Sequence, residues 1–146
     1  MRYLALDLGD RRIGIALSDR LGMVARPLEV MKRTSRAADF AHVSTLVAEH
    51  DVDALIVGLP ISMDGTEDAR AAWTRDYGQA LGKAVGLPVT FWDERLSTEE
   101  AEAILRAKGK HLREEKNWID AVAAAVILQR YLDAKAKTVE RHTDGV

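Results

Sequence analysis

The sequence predicts a single α/β domain: a five-stranded mixed sheet, an antiparallel meander of three strands followed by parallel strands, flanked by helices. Three observations predict it. The apolar runs at 3–8 and 13–18 are joined by the short turn Gly9-Asp10-Arg11-Arg12, which is the pattern of a β-hairpin. Beyond Ser35 the apolar residues switch to helical spacing, and short apolar runs then alternate with helix-length segments, as in sheets covered by helices. The stretch 119–132 is small and apolar on most sides, from Ala121 through Ile127, as a helix buried against a sheet must be.

Each element follows from local chemistry. Residues 24–30 form a third strand, and Pro27 within it suits only a sheet edge. Ser35 is placed to cap a helix over 37–49, where Phe40, Val43, Leu46 and Val47 share a face. Residues 54–57 read as a short buried strand ending in Gly58-Leu59-Pro60, followed by a polar loop through Asp64-Gly65. Thr66 is the expected cap of a second helix, running to about 84. Gly86-Leu87-Pro88 breaks the chain before a strand at 89–92. Ser97-Thr98-Glu99-Glu100 is a capping box, and its helix is expected to fade near Gly109. The segment 106–116 carries Arg106, Lys108, Lys110, Arg113 and Lys116 and is expected to be a mobile loop. One domain is expected over 1–134, with a flexible tail over 135–146.

Composition excludes several functions. Of 146 residues, 47% are apolar and 30% charged, with a formal net charge of −2. That is ordinary for a globular domain and lacks the basic excess common in nucleic-acid binders. Any phosphate contact must therefore be local or assisted by a metal. With no cysteine, thiolate zinc sites, Fe–S ligation, disulfides and Cys nucleophiles are all excluded. His42, His50, His111 and His142 offer no pair at metal-ligand spacing. The longest apolar run, 121–128, is too short to span a bilayer. Met1-Arg2-Tyr3 leads straight into a strand without a signal-like segment. A cytoplasmic location with no membrane partner is expected.

Three carboxylates sit where a core would not place them. Asp7 interrupts the first strand, flanked by Leu6 and Leu8. Its plain role is to cap the turn, but Asp10 already suits that turn. The small residues Gly14, Ala16 and Ser18 share one face of the next strand and would leave open space beside it. Glu94 follows the strand at 89–92, where open α/β sheets bind ligands; its plain role is to favour the next helix N-terminus. Asp120 opens the most apolar helix, among Ile119, Val122, Ala123 and Ala124. Its plain role is a first-turn acid with Asn117 as cap. Converging over one sheet edge, the three would form an oxygen-ligand site suited to Mg²⁺ or Mn²⁺. Two divalent ions would offset three carboxylates and one phosphodiester.

Four stretches, "LALDLGDRRIGIALSD" from Leu4, "VGLPISMDGTE" from Val57, "DERLS" from Asp93 and "IDAVAAAVIL" from Ile119, resemble the YqgF (RuvX) family over nearly the whole chain. That family comprises ribonuclease-H-like proteins described as pre-16S rRNA nucleases or Holliday-junction-resolvase-like. The resemblance implies a ribonuclease H-like fold and a catalytic, metal-binding triad of Asp7, Glu94 and Asp120. It implies a nuclease, with pre-16S rRNA processing as the leading role and junction resolution as the alternative; two-metal hydrolysis of phosphodiesters is the mechanism expected of the three acids.

Arg11, Arg12 and Arg95 are expected to contact nucleic-acid phosphates. Arg106, Lys108, Lys110, Arg113 and Lys116 would form a basic arm over the substrate, or simply a solvated loop. Residues 58–65 either line the groove or serve as a strand-to-helix connection. Trp73 and Trp118 are expected to pack. The partner is RNA, with branched or single-stranded DNA as alternatives, and the protein a monomer or homodimer. Two readings from other classes stand beside the nuclease. One is an actin- or Hsp70-like nucleotide-phosphate binder, suggested by the first hairpin. The other is a non-catalytic RNA-binding assembly factor.

Overall fold

The computed structural model describes residues 1–95, 100, 102, 103, 106 and 118–144. Strands β1 (Tyr3–Leu8), β2 (Arg12–Ser18) and β3 (Ala25–Lys32) form the antiparallel meander. Helix α1 (Arg36–Glu49), strand β4 (Ala54–Leu59), helix α2 (Ala69–Val85), strand β5 (Val89–Asp93) and helix α3 (Ile119–Asp144) follow. The sheet order is β3-β2-β1-β4-β5, with β4 parallel to both β1 and β5. The predicted five-stranded mixed sheet is present, with β1 at its centre.

The alternation of side chains across β1 and β2 divides the core between two faces. Leu4, Leu6, Leu8, Ile13, Ile15 and Leu17 point to one face and pack with Val43 and Leu46 of α1 and Tyr77 and Leu81 of α2. Tyr3, Ala5 and Ala16 point to the other and pack with Ala124, Ala125, Ile127 and Leu128 of α3. Each fully buried Leu or Ile contributes about 1.5–3 kcal/mol from removing its surface from water. The small residues of β2 and α3 let the helix backbone come close to the strands.

Several local details differ from expectation. Ser35 caps α1 as predicted, its hydroxyl accepting from the Ala38 N–H at 3.1 Å. The cap of α2 is Asp68, whose carboxylate accepts from the Arg70 and Ala71 N–H groups. Thr66 instead donates its hydroxyl to Asp64; an ionised carboxylate is the stronger acceptor for helix-end amides. Pro27 sits on the edge strand where the β2–β3 register shifts between Ile15 and Ala16, a place that tolerates its missing N–H. Helix α3 continues past Leu132 to Asp144, through Ala134, Lys135, Ala136 and Lys137, which are good helix formers. The capping box at 97–100 and the basic segment at 106–116 lie largely outside the described residues.

Candidate active site

β1, β4 and β5 all end at the same edge of the sheet, and the start of α3 comes down on it. Asp7 lies on the face that α3 covers, in direct register with Gly14 of β2. On its other side the registered pair Leu6–Val57 puts Gly58 of β4 next to it. A Cβ on Gly14 would lie 1.9 Å from the Asp120 carbonyl oxygen. A Cβ on Gly58 would lie 2.6 Å from Oε2 of Glu94. The glycines on either side of Asp7 thus admit the other two acids. The small face of β2 is present as read from the sequence, but at Gly14 the helix backbone fills the expected open space.

Asp7 and Glu94 meet directly. Burial pushes Glu94 up to about 8, helped by the negative charge of Asp7 and by the hydrogen bond between them. Burial likewise raises Asp7; the bond from Glu94 opposes this rise and the charge of Asp120 adds to it. The pair therefore retains one proton near neutral pH, in the hydrogen bond that joins its two carboxyls. Two carboxyls held in contact and partly shielded from water resist ionising together without a compensating cation.

Asp120 stands at the first turn of α3 with its carboxylate turned onto Arg12, whose Nε donates to Oδ2 at 2.9 Å. Among the described residues, no three His, Cys, Asp or Glu side chains close around an ion. Asp7 and Glu94 touch, and Asp120 is drawn aside by Arg12. Even so, the donor set is all carboxylate oxygen, and a cation could replace the proton that the Asp7–Glu94 pair retains. Both properties fit Mg²⁺ or Mn²⁺.

The cations expected to meet phosphate have varied settings. Arg12 is tied to Asp120. Arg95 wraps onto Asp93, Nε donating at 2.8 Å and Nη2 lying 2.7 Å from the carboxylate. Arg11 is exposed on the first turn. Arg106 is exposed and helical, its Nε donating to the Glu102 carbonyl at 3.4 Å. Lys108, Lys110, Arg113 and Lys116 lie outside the described residues. Trp73 packs against Tyr77 with Arg33 stacked on it at 4.5 Å, and Trp118 packs against α3 residues. The 58–65 segment connects β4 to α2, as one of its two readings had it, and a Cβ at Gly58 would meet the Glu94 carboxylate.

Sequence reasoning missed Arg70. Its Nη1 donates to Asp10 at 2.9 Å and its Nη2 to the Leu8 carbonyl at 3.3 Å. Its charge pulls both Asp7 and Glu94 toward ionisation. A signal was present: a lone arginine in the first turn of a helix works against the helix dipole and needs a local acid to hold it.

The family described as "RuvX: Holliday junction resolvase" matches residues 1–134. A protein of Anaeromyxobacter sp. (strain Fw109-5), provisionally named a pre-16S rRNA nuclease, is 49% identical over 92% of this chain and 98% of its own. A protein of the same name from Halothermothrix orenii is 45% identical over 94% of this chain and 98% of its own. Among solved structures, Thermus thermophilus RuvC in complex with a Holliday junction superposes with a TM-score of 0.61 at 20% identity, covering 94% and 97% of the two chains. The fowlpox virus resolvase bound to junction DNA superposes at 0.59 with 10% identity, covering 92% and 98%. These likenesses confirm the ribonuclease H-like fold. With a family match across almost all of its length and relatives so close, this chain belongs to the RuvX family.

Proposed function

We propose that this protein is a divalent-metal-dependent nuclease that hydrolyses phosphodiester bonds, with precursor 16S rRNA as its substrate and the cytoplasm as its site of action. The observation that carries the reading is the half-buried Asp7–Glu94 pair at the strand ends, hydrogen-bonded to each other and flanked by Asp120. A carboxyl pair with that geometry contributes nothing to packing and repels a bare polyanion; its use is to hold cations. Asp7, Glu94 and Asp120 would hold Mg²⁺ or Mn²⁺, two ions by charge balance. When bound, such ions lower the pKa of a water and offset charge on the leaving oxygen.

The chain's own residues set the conditions for that chemistry. Asp7, between two glycines, is fixed by the strands on both sides. Glu94 would ionise to hold a cation, and the charge of Arg70 favours that ionised form. Asp120 would hold the metal together with the pair, and Arg12, now on Asp120, would then be available to a backbone phosphate. No side-chain nucleophile is required, in keeping with the absence of cysteine.

The rRNA reading rests on relatives at 40–49% identity that share that name. A second reading, cleavage of four-way DNA junctions, is favoured by the description of the family itself. Labelled precursor-rRNA fragments, single-stranded DNA and a four-way junction, each with Mg²⁺ or Mn²⁺, separate the two. The expected result is cleavage of the RNA by the parent and loss of cleavage on Asp7→Asn.

A further inference from the structure

A hollow of about 480 Å³, lined by Met63, Trp92, Asp93, Arg95 and Arg130, opens at the carboxyl end of β5. It is distinct from the acid cluster but shares its strand end, because Asp93 and Arg95 flank Glu94 in the chain. Its walls are of two kinds. One is apolar. The Trp92 ring packs edge-on against Tyr131, with centroids 5.4 Å apart, and Tyr131 packs in the same way against Tyr3. Lys135 donates to the Tyr3 hydroxyl and closes this brace. Met63, on the loop after β4, is 79% exposed. A braced indole and an adaptable thioether in the same lining offer apolar surface to a flat ring.

The other wall carries two arginines, each paired with an acid, Arg95 with Asp93 and Arg130 with Glu100. Arg95 is held in place by Asp93. Arg130 donates from Nη1 to the Arg95 carbonyl at 3.0 Å and pairs with Glu100. These contacts engage two nitrogens of each guanidinium, out of five N–H donors per arginine, and fix where the forks stand. Preordered arginine forks suit a phosphate group. A ligand combining one flat π face with one phosphate is a nucleotide, and its base must be unpaired to enter.

We propose that this hollow seats one unpaired nucleotide of the substrate, its base against Trp92 and Met63 and its phosphate on Arg95 and Arg130. The proposal rests on the nuclease reading and narrows it to strands that are single-stranded next to the scissile bond. It accounts for Trp92, Met63 and Arg130, which the acid cluster does not use.

The test is a titration of the full-length protein, with Ca²⁺ replacing Mg²⁺, by short single-stranded RNA, single-stranded DNA and a blunt duplex. Tryptophan fluorescence and the anisotropy of the labelled strand are read together. Single strands are expected to quench the fluorescence, and the duplex is not; the RNA and DNA arms show which sugar is preferred. Trp92→Leu should remove most of the quenching and weaken single-strand binding about tenfold, the usual worth of one stacked base. Met63→Ala, at an exposed position that should leave folding intact, should weaken it severalfold. Equal quenching by the duplex, or parental affinity in Met63→Ala and in any folded Trp92→Leu protein, would overturn the proposal. The Asp7→Asn protein separates this from the parent reading: the subsite predicts that its quenching persists. Cleavage retained by that variant would defeat the acid cluster and leave the binding result standing.

Discussion

At the scale of single residues, Asp7 and Glu94 set the behaviour of the site. In the folded protein Glu94 keeps its proton up to about pH 8, whereas its usual value is 4.5. Between those values the folded chain holds a proton that the unfolded chain has released, so stability must fall as pH rises across that window. Thermal melts of the metal-free protein from pH 5 to 8.5 should show this fall, and Glu94→Gln should flatten it. Bound Mn²⁺ should restore the stability lost at the alkaline end, because it replaces the proton. The Arg12–Asp120 pair is of another kind. Both side chains are substantially exposed, and such pairs contribute about 0–1 kcal/mol. Arg12→Ala should therefore leave the melting temperature within a few degrees of the parent, while weakening nucleic-acid binding measured by anisotropy. A large drop in melting temperature would mean that Arg12 holds α3 in place.

At the scale of elements, the site depends on how closely α3 and β5 approach β1. A Cβ on Gly14 meets helix backbone, which cannot rotate away, so Gly14→Ala should cost roughly 3 kcal/mol and on the order of 10 °C in Tm. A Cβ on Gly58 meets the Glu94 carboxylate and the Ile127 side chain, both able to shift. Gly58→Ala should melt closer to the parent yet lose metal affinity, read by calorimetry with Mn²⁺. The element order was legible in the sequence because periodicity changes sharply after Ser35 and because Pro27 and the Gly-Pro breaks mark boundaries. The acids were legible because a carboxylate in an apolar run has few structural uses. What was not legible depends on distance across the fold. The role of Gly58, the contact of Gly14 with the helix and the placement of Arg70 arise from residues dozens of positions apart. The choice of Asp68 over Thr66 as cap turned on two residues that both suit the role.

At the scale of the whole molecule, a chain of net charge −2 proposed to cut a polyanion must gain attraction from bound cations. Nucleic-acid affinity should therefore depend on divalent ions, falling at least tenfold in EDTA at constant ionic strength. Affinity unchanged by EDTA would favour a non-catalytic RNA-binding factor. Among the described residues no helix is long and apolar enough to cross a membrane, and the long apolar face of α3 is spent on the sheet. The central claim is that Asp7 anchors a metal-dependent nuclease site. Its most direct test is the cleavage rate of a labelled precursor-rRNA fragment in Mg²⁺ and in Mn²⁺, parent against Asp7→Asn, with folding checked by melting. The prediction is at least a hundredfold loss in a variant that melts close to the parental temperature, since Asn matches Asp in size and its amide oxygen still accepts the Glu94 proton. Cleavage at the parental rate by the folded variant would contradict the account.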